Sequence, residues 1–355
     1  MSSQIDLLDR AKSYGITLVI LGHTLIVGPI NEVNLPWVKR IVDFIYMFHM
    51  NLFFVVAGIT FFLKIDTYLL YPDGFLKKQL LRFALPFITI NLLYTTVYYF
   101  YVKVFYSPTD AIALWCGFRY FKFMFIIGGT WFLLCMLCTK VFSFMIFKIS
   151  TIYFEHSMSK HIAFALLFFI GLDFIRTPVF ANLFMKKFPF YFYLETYLFW
   201  FNLSYIIKLC INTTKNKYSD NVYFRILIFI FLPIAIVFLY KTGFFYMPII
   251  LSITMILMIS CFKIKYLERF ILWVAKLAMP IYLLHFFVID FIWQPVYFKY
   301  ISRTWLGTGY TYFPLAFIFV SVTTLAISHV TVKIPMIKLI LFGDKSQNNT
   351  TKLIS

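Results

Sequence analysis

Apolar residues run in long, nearly unbroken stretches along this chain, and the polar positions fall between them. Stretches of about 18–22 residues with few charges recur from end to end, the length a helix needs to cross a hydrocarbon layer. The pattern predicts helices over 13–31, 38–63, 84–105, 130–148, 161–176, 188–210, 224–241, 243–262, 277–298 and 312–332. The expected fold is an all-α polytopic membrane protein with about ten transmembrane helices. The segment 264–276, IKYLERFILWVAK, alternates charge and bulk and reads as an interfacial piece before the ninth span. The aromatic-rich stretch 106–129 reads as a loop or a re-entrant piece. The closing GDKSQNNTTKLIS reads as a polar tail, which gives one transmembrane domain over 1–342 and a cytoplasmic tail over 343–355. No small-residue cleavage pattern follows the first apolar stretch, so a retained helix is expected rather than a signal peptide. No internal repeat is visible.

Composition removes the soluble alternative. The 355 residues are 62% hydrophobic and 13% charged, too few polar groups to coat a soluble domain of this length. The net charge of +18 would suit nucleic acid, but no run of like charges accompanies it. Basic residues in loops act as topology signals and lipid contacts, so membrane lipids are the expected partner and nucleic acid is not. With the N-terminus inside, Lys and Arg favour the cytoplasmic segments by about two to one, which places both termini in the cytoplasm. The five cysteines, Cys116, Cys135, Cys138, Cys210 and Cys261, are odd in number and lie mostly in apolar segments. They form no disulfide framework, and the Cys135–Cys138 pair reads as helix packing. No metal site is expected.

Ionisable side chains inside apolar segments are costly to bury, which makes each a functional candidate. Here they are His23, Asp43, His49, Asp173, Glu195, His285, Asp290 and His329. His23 stands out for a geometric reason. It follows Lys12 by eleven residues, three helical turns plus about 20°, so the two share one face roughly 16 Å apart along the axis. Lys12 would sit at the cytosolic mouth, where a cation attracts a phosphate-bearing molecule. His23 would lie deeper, where a neutral imidazole can take a proton from a hydroxyl. Asp9 shares the face and would either orient Lys12 or cap the helix. In the second helix His49 would come to a similar depth. In the ninth, Tyr282 and His285 share a face. Before the third helix, FLKKQLLRFALPF places Lys77, Lys78 and Arg82 at a cytosolic entrance, as topology signals or as a site for an anionic donor.

Together these stretches resemble the acyltransferase-3 family of integral-membrane acyltransferases, and in particular its fucose 4-O-acetylase-like branch. That family opens with a basic residue, ten spacers and a histidine; here Lys12, SYGITLVILG and His23 stand in that order. The preceding DRAK is similar to the branch's Asp-x-Ala-Lys. FHMNLFFVVAG matches a Phe-His-x-Pro-x-Phe-Phe block leading to a small-Gly pair, with Asn51 in place of proline and Ala57-Gly58 in place of Ser-Gly. TWFLLCML at 130–137 and IYLLH at 281–285 match two further blocks. Many members carry a basic residue, two spacers and an arginine before the third helix; here Gln79 holds the first position, Lys78 precedes it, and Arg82 is kept.

The resemblance implies a cytosolic acyl-CoA donor and an acceptor reached from the outer side. The expected reaction is transfer of an acetyl group from acetyl-CoA, a substrate and not a bound cofactor, to a sugar hydroxyl. His23 is the expected base. His49 or His285 would orient it, bind the acceptor or stabilise the oxyanion. Lys12, Lys78 and Arg82 would hold the donor's phosphates, Trp131 would line the passage, and Asp9 and Tyr282 would support these groups. Phe-, Ile-, Lys- and Asn-rich usage fits an AT-rich gene, common in bacterial surface-polysaccharide clusters. It directs the expectation to an O-antigen, capsular or lipid-linked glycan and to the bacterial inner membrane. A polysaccharide polymerase or flippase would bring a large outer loop rich in arginine. A transporter would bring internal repeats or paired broken helices. Neither pattern is seen.

Overall fold

The computed structural model describes residues 2–26, 35–105, 130–153, 197–205, 246–301 and 309–343. Helices carry nearly all of these residues, and no strand occurs among them. Helix α1 is Ser2–Ile26, α2 is Pro36–Phe62 and α3 is Ile65–Leu70. Helix α4, Pro72–Gln79, passes through a π-turn at Leu80–Ala84 into α5, Leu85–Phe105. Helix α6 is Trp131–Tyr153, and residues 197–205 are helical. Then come α7 (Tyr246–Ile259), α8 (Glu268–Lys276) and α9 (Ala278–Phe287), which runs on through a π-turn at Val288–Trp293. Helices α10 (Gly309–Thr331) and α11 (Pro335–Phe342) complete the described chain.

Five helical stretches are long and apolar enough to cross a membrane: Pro36–Phe62, Pro72–Tyr101, Trp131–Tyr153, Ala278–Ile301 and Thr311–Thr331. They coincide with the second, third, fourth, ninth and tenth helices expected from hydropathy. Helix α7 falls within the expected eighth. The expected helices over 161–176 and 224–241, most of that over 188–210, the aromatic stretch 106–129 and the tail beyond 343 lie outside the described residues.

Two boundaries differ from expectation, for one reason. Helix α1 begins at Ser2 rather than near 13, and the third span begins at Pro72 rather than 84. Both extensions are polar, and a hydropathy window reads polar sequence as loop. Yet LLDRAK and LKKQLLR are made largely of good helix formers, and Pro72 sits at the first turn, where its missing N–H costs nothing. Asp9 therefore lies inside α1 and caps nothing, and Lys78 and Arg82 lie within a continuous helix.

The chain packs as two compact units, one of Met1–Phe62 with Trp200–Ser328 and one of Leu63–Phe199 with His329–Ser355. In the first, α1 lies against α2, α7, α8 and α9. Helix α2 is largely buried within it, with Phe48, Leu52, Phe54, Val55 and Phe62 in the core. Trp293 donates to the Tyr312 hydroxyl at 3.2 Å, joining the end of the ninth span to α10. In the second unit, α11 packs on α5, and Thr89 Oγ1 donates to the Ile340 carbonyl at 2.8 Å. Helix α11 ends on Gly343 in the left-handed region at φ 62°. A side chain there would run into the Leu81 carbonyl and Arg82 Cα, so glycine is required twice over.

Candidate active site

Three helices of the first unit bring three histidines into one neighbourhood. His23 lies near the end of α1, His49 in the middle of α2 and His285 late in α9. The His23 and His285 rings are 5.0 Å apart, tilted by 39°. Phe286 closes on both, 4.5 Å from His23 and 4.3 Å from His285. The Tyr46 ring stands between the other pair, edge-on to His23 at 5.7 Å and to His49 at 4.8 Å. Tyr282, one turn before His285, is buried with its ring 6.0 Å away.

The hydrogen bonds at each Nδ1 determine what each ring can do. His49 Nδ1 meets the Ile45 carbonyl at 2.8 Å, and His285 Nδ1 meets the Ile281 carbonyl at 3.1 Å. A carbonyl only accepts, so in both rings Nδ1 carries the proton, and in the neutral form Nε2 is a bare acceptor. His285 is wholly buried, and its Nε2 has no partner among the described residues. An unpaired polar atom in that setting costs about 1–3 kcal/mol, so it is a place where a ligand's hydroxyl would be welcome. His23 differs: its Nδ1 lies 2.9 Å from the Tyr46 hydroxyl, which both donates and accepts.

The other end of α1 is charged. Lys12 Nζ donates to Asp9 Oδ1 at 2.7 Å, and both side chains are partly exposed. Arg10 is buried, at 3% exposure; its Nη1 donates to Glu268 Oε1 of α8 at 2.6 Å and its Nε to the Ser260 carbonyl. The second Glu268 oxygen and the Tyr14 hydroxyl beside this cluster are buried without partners among the described residues.

The remaining candidates divide plainly. Asp43 forms an exposed pair with Lys39 at 3.7 Å, and Asp290 accepts from Gln294 Nε2 at 3.3 Å. Asp173 and Glu195 lie outside the described residues. Lys78, Arg82 and Trp131 belong to the second unit. There Lys78 and Arg82 are exposed. Arg82 Cζ lies 5.9 Å from the Phe83 ring centre, and Lys140 Nζ approaches the same ring at 4.7 Å. Trp131 stacks on Tyr197 at 5.5 Å. Both Arg82 and the turn after His285 fall at π-turns, which recur at functional sites. Sequence reading passed over Tyr46 and Arg10. The signal for Tyr46 was its place three residues before His49, on the same face; Arg10 carried none beyond its charge.

Apolar helices long enough to span a bilayer, together with three histidines brought into one neighbourhood, define a polytopic helical membrane protein with a cluster of imidazoles. The chain belongs to the acyltransferase-3 family, whose acyltransferase domain matches residues 5–333, and it is a membrane acyltransferase. No curated protein and no solved structure matches it.

Proposed function

We propose that this acyltransferase is an O-acetyltransferase of the fucose 4-O-acetylase-like branch. It transfers acetyl from cytosolic acetyl-CoA to a hydroxyl of a bacterial surface polysaccharide or its lipid-linked precursor, in the inner membrane. The full chain crosses about ten times with both ends in the cytoplasm. The observation that carries the reading is the facing pair His23 and His285, rings 5.0 Å apart.

A sugar hydroxyl is a weak nucleophile until its proton is removed as it attacks. His23 takes that proton while the oxygen adds to the thioester carbonyl. The new C–O bond forms, the C–S bond breaks, and the imidazolium returns the proton to the leaving thiolate. His285 and His49, bare at Nε2 in their neutral forms, accept from hydroxyls of the acceptor and so orient it. Lys12, steadied by Asp9, meets the donor's phosphates. For Lys78 and Arg82, which belong to the second unit, the resemblance alone supports a role in donor binding, and for Trp131 a role in lining the acceptor's passage. Tyr282 packs beside His285.

The test is mass spectrometry of the surface glycan from cells with and without the gene. The reading expects O-acetyl on the glycan only with the gene. Identical acetylation in both, or none in either, contradicts it.

A further inference from the structure

We infer that Tyr46 is the positioning residue of His23: its hydroxyl oxygen accepts the Nδ1 proton and leaves Nε2 as the basic nitrogen that faces substrate. The inference rests on the reading of His23 as the base and goes beyond it by naming what sets that ring.

Three observations converge. The Tyr46 hydroxyl lies 2.9 Å from His23 Nδ1. The tyrosine has a built seat. A Cβ on Gly22 would stand 3.0 Å from Tyr46 Cε2 and 3.3 Å from Ile45 Cγ2, so the missing side chain lets the ring lie against α1 beside His23. His49 supports the same ring edge-on at 4.8 Å. Finally, His49 and His285 both place their Nδ1 proton on a carbonyl four residues earlier in their own helix. The corresponding Nδ1 of His23 is engaged by a side chain of another helix, so its tautomer is set by the packing of α1 on α2.

The chemistry favours the accepting role for the oxygen. During transfer His23 becomes an imidazolium, and Nδ1–H···O then becomes a charge-assisted bond, roughly twice as strong as a neutral one. The bond gains strength as the proton moves and is weaker in the resting complex. An interaction of that kind raises kcat and leaves substrate binding nearly unchanged.

The test uses the full-length protein in proteoliposomes, labelled acetyl-CoA as donor and, as acceptor, surface glycan from a strain lacking the gene. Wild type, Tyr46→Phe, His23→Ala and the double variant are compared. Tyr46→Phe is expected to lower kcat about 10- to 100-fold, with KM for both substrates held within about twofold. In the His23→Ala background it is expected to remove nothing more. Nitrogen NMR of histidine-labelled protein supplies a readout free of turnover. His23, assigned by difference from His23→Ala, is expected to carry its proton on Nδ1 in the wild type and to lose that preference in Tyr46→Phe.

A Tyr46→Phe kcat within about twofold of wild type, a loss carried by KM, or a wild-type proton on Nε2 overturns the inference. If His23→Ala is inactive while Tyr46→Phe is intact, only this inference falls. If His23→Ala keeps its activity, the reading of His23 as the base falls with it.

Discussion

The two ends of α1 show two ways of keeping polar groups inside a membrane protein. At the N-terminal end two cations, one buried and one half-buried, are answered by opposite charges: Arg10 by Glu268, Lys12 by Asp9. At the other end the polar groups are imidazoles, answered by neutral partners, a tyrosine hydroxyl and two backbone carbonyls. The difference follows from electrostatics. A buried ion without a counter-ion carries a penalty of several kcal/mol, so opposite charges become mutual ligands. A neutral imidazole is far less costly to bury than an ion, and a partner at Nδ1 leaves Nε2 as an acceptor for a further hydrogen bond. At the charged end Arg10 ties α1 to α8; at the other end stand neutral rings of a kind able to exchange a proton.

That contrast can be broken at the charged end first. Removing the Arg10 side chain, as in Arg10→Met, strands the Glu268 carboxylate and is expected to cost about 3–5 kcal/mol of stability. Thermal and denaturant unfolding of the protein in detergent reads this directly. The double variant Arg10→Met/Glu268→Leu is expected to recover most of the loss, because no unpaired ion remains. If Arg10→Met unfolds like the wild type, the pair is not a structural clasp. The next effect is smaller and of a different kind. Lys12→Ala is expected to raise KM for acetyl-CoA about tenfold, from the loss of one charge-assisted contact, with kcat little changed. Equal loss in kcat and kcat/KM would place Lys12 at the reacting atoms instead. The smallest effect sharpens the contrast by its absence. Lys39→Ala breaks an exposed pair and is expected to change stability by less than about 0.5 kcal/mol. A larger change would mean that pair is not solvated as its exposure indicates.

Much of the fold was legible because the bilayer imposes a length and a composition on every span. Five expected helices reappear as stretches able to cross it. What hydropathy misread were Ser2–Lys12 and Pro72–Phe83, polar sequence that is helical because it packs or because its residues favour helix. The amphipathic α8 was anticipated as an interfacial piece, but its role was not, since Arg10 and Glu268 are 258 residues apart and only tertiary packing brings them together. At the site, helical periodicity placed His23 on a face with Lys12 and His285 with Tyr282. It was silent on the meeting of His23 with His285, and on Tyr46, because the register between two helices is written in close approaches such as Gly22 against Tyr46, which no single-helix pattern contains.

The central claim, that the imidazole at position 23 is the proton acceptor of acyl transfer, is tested most directly by one rate. Label transfer from acetyl-CoA to glycan is measured in proteoliposomes for the wild type and for His23→Ala, with matched unfolding curves. The account predicts a loss of about 10²–10⁴-fold without loss of stability. A variant that transfers within a few-fold of the wild-type rate contradicts it.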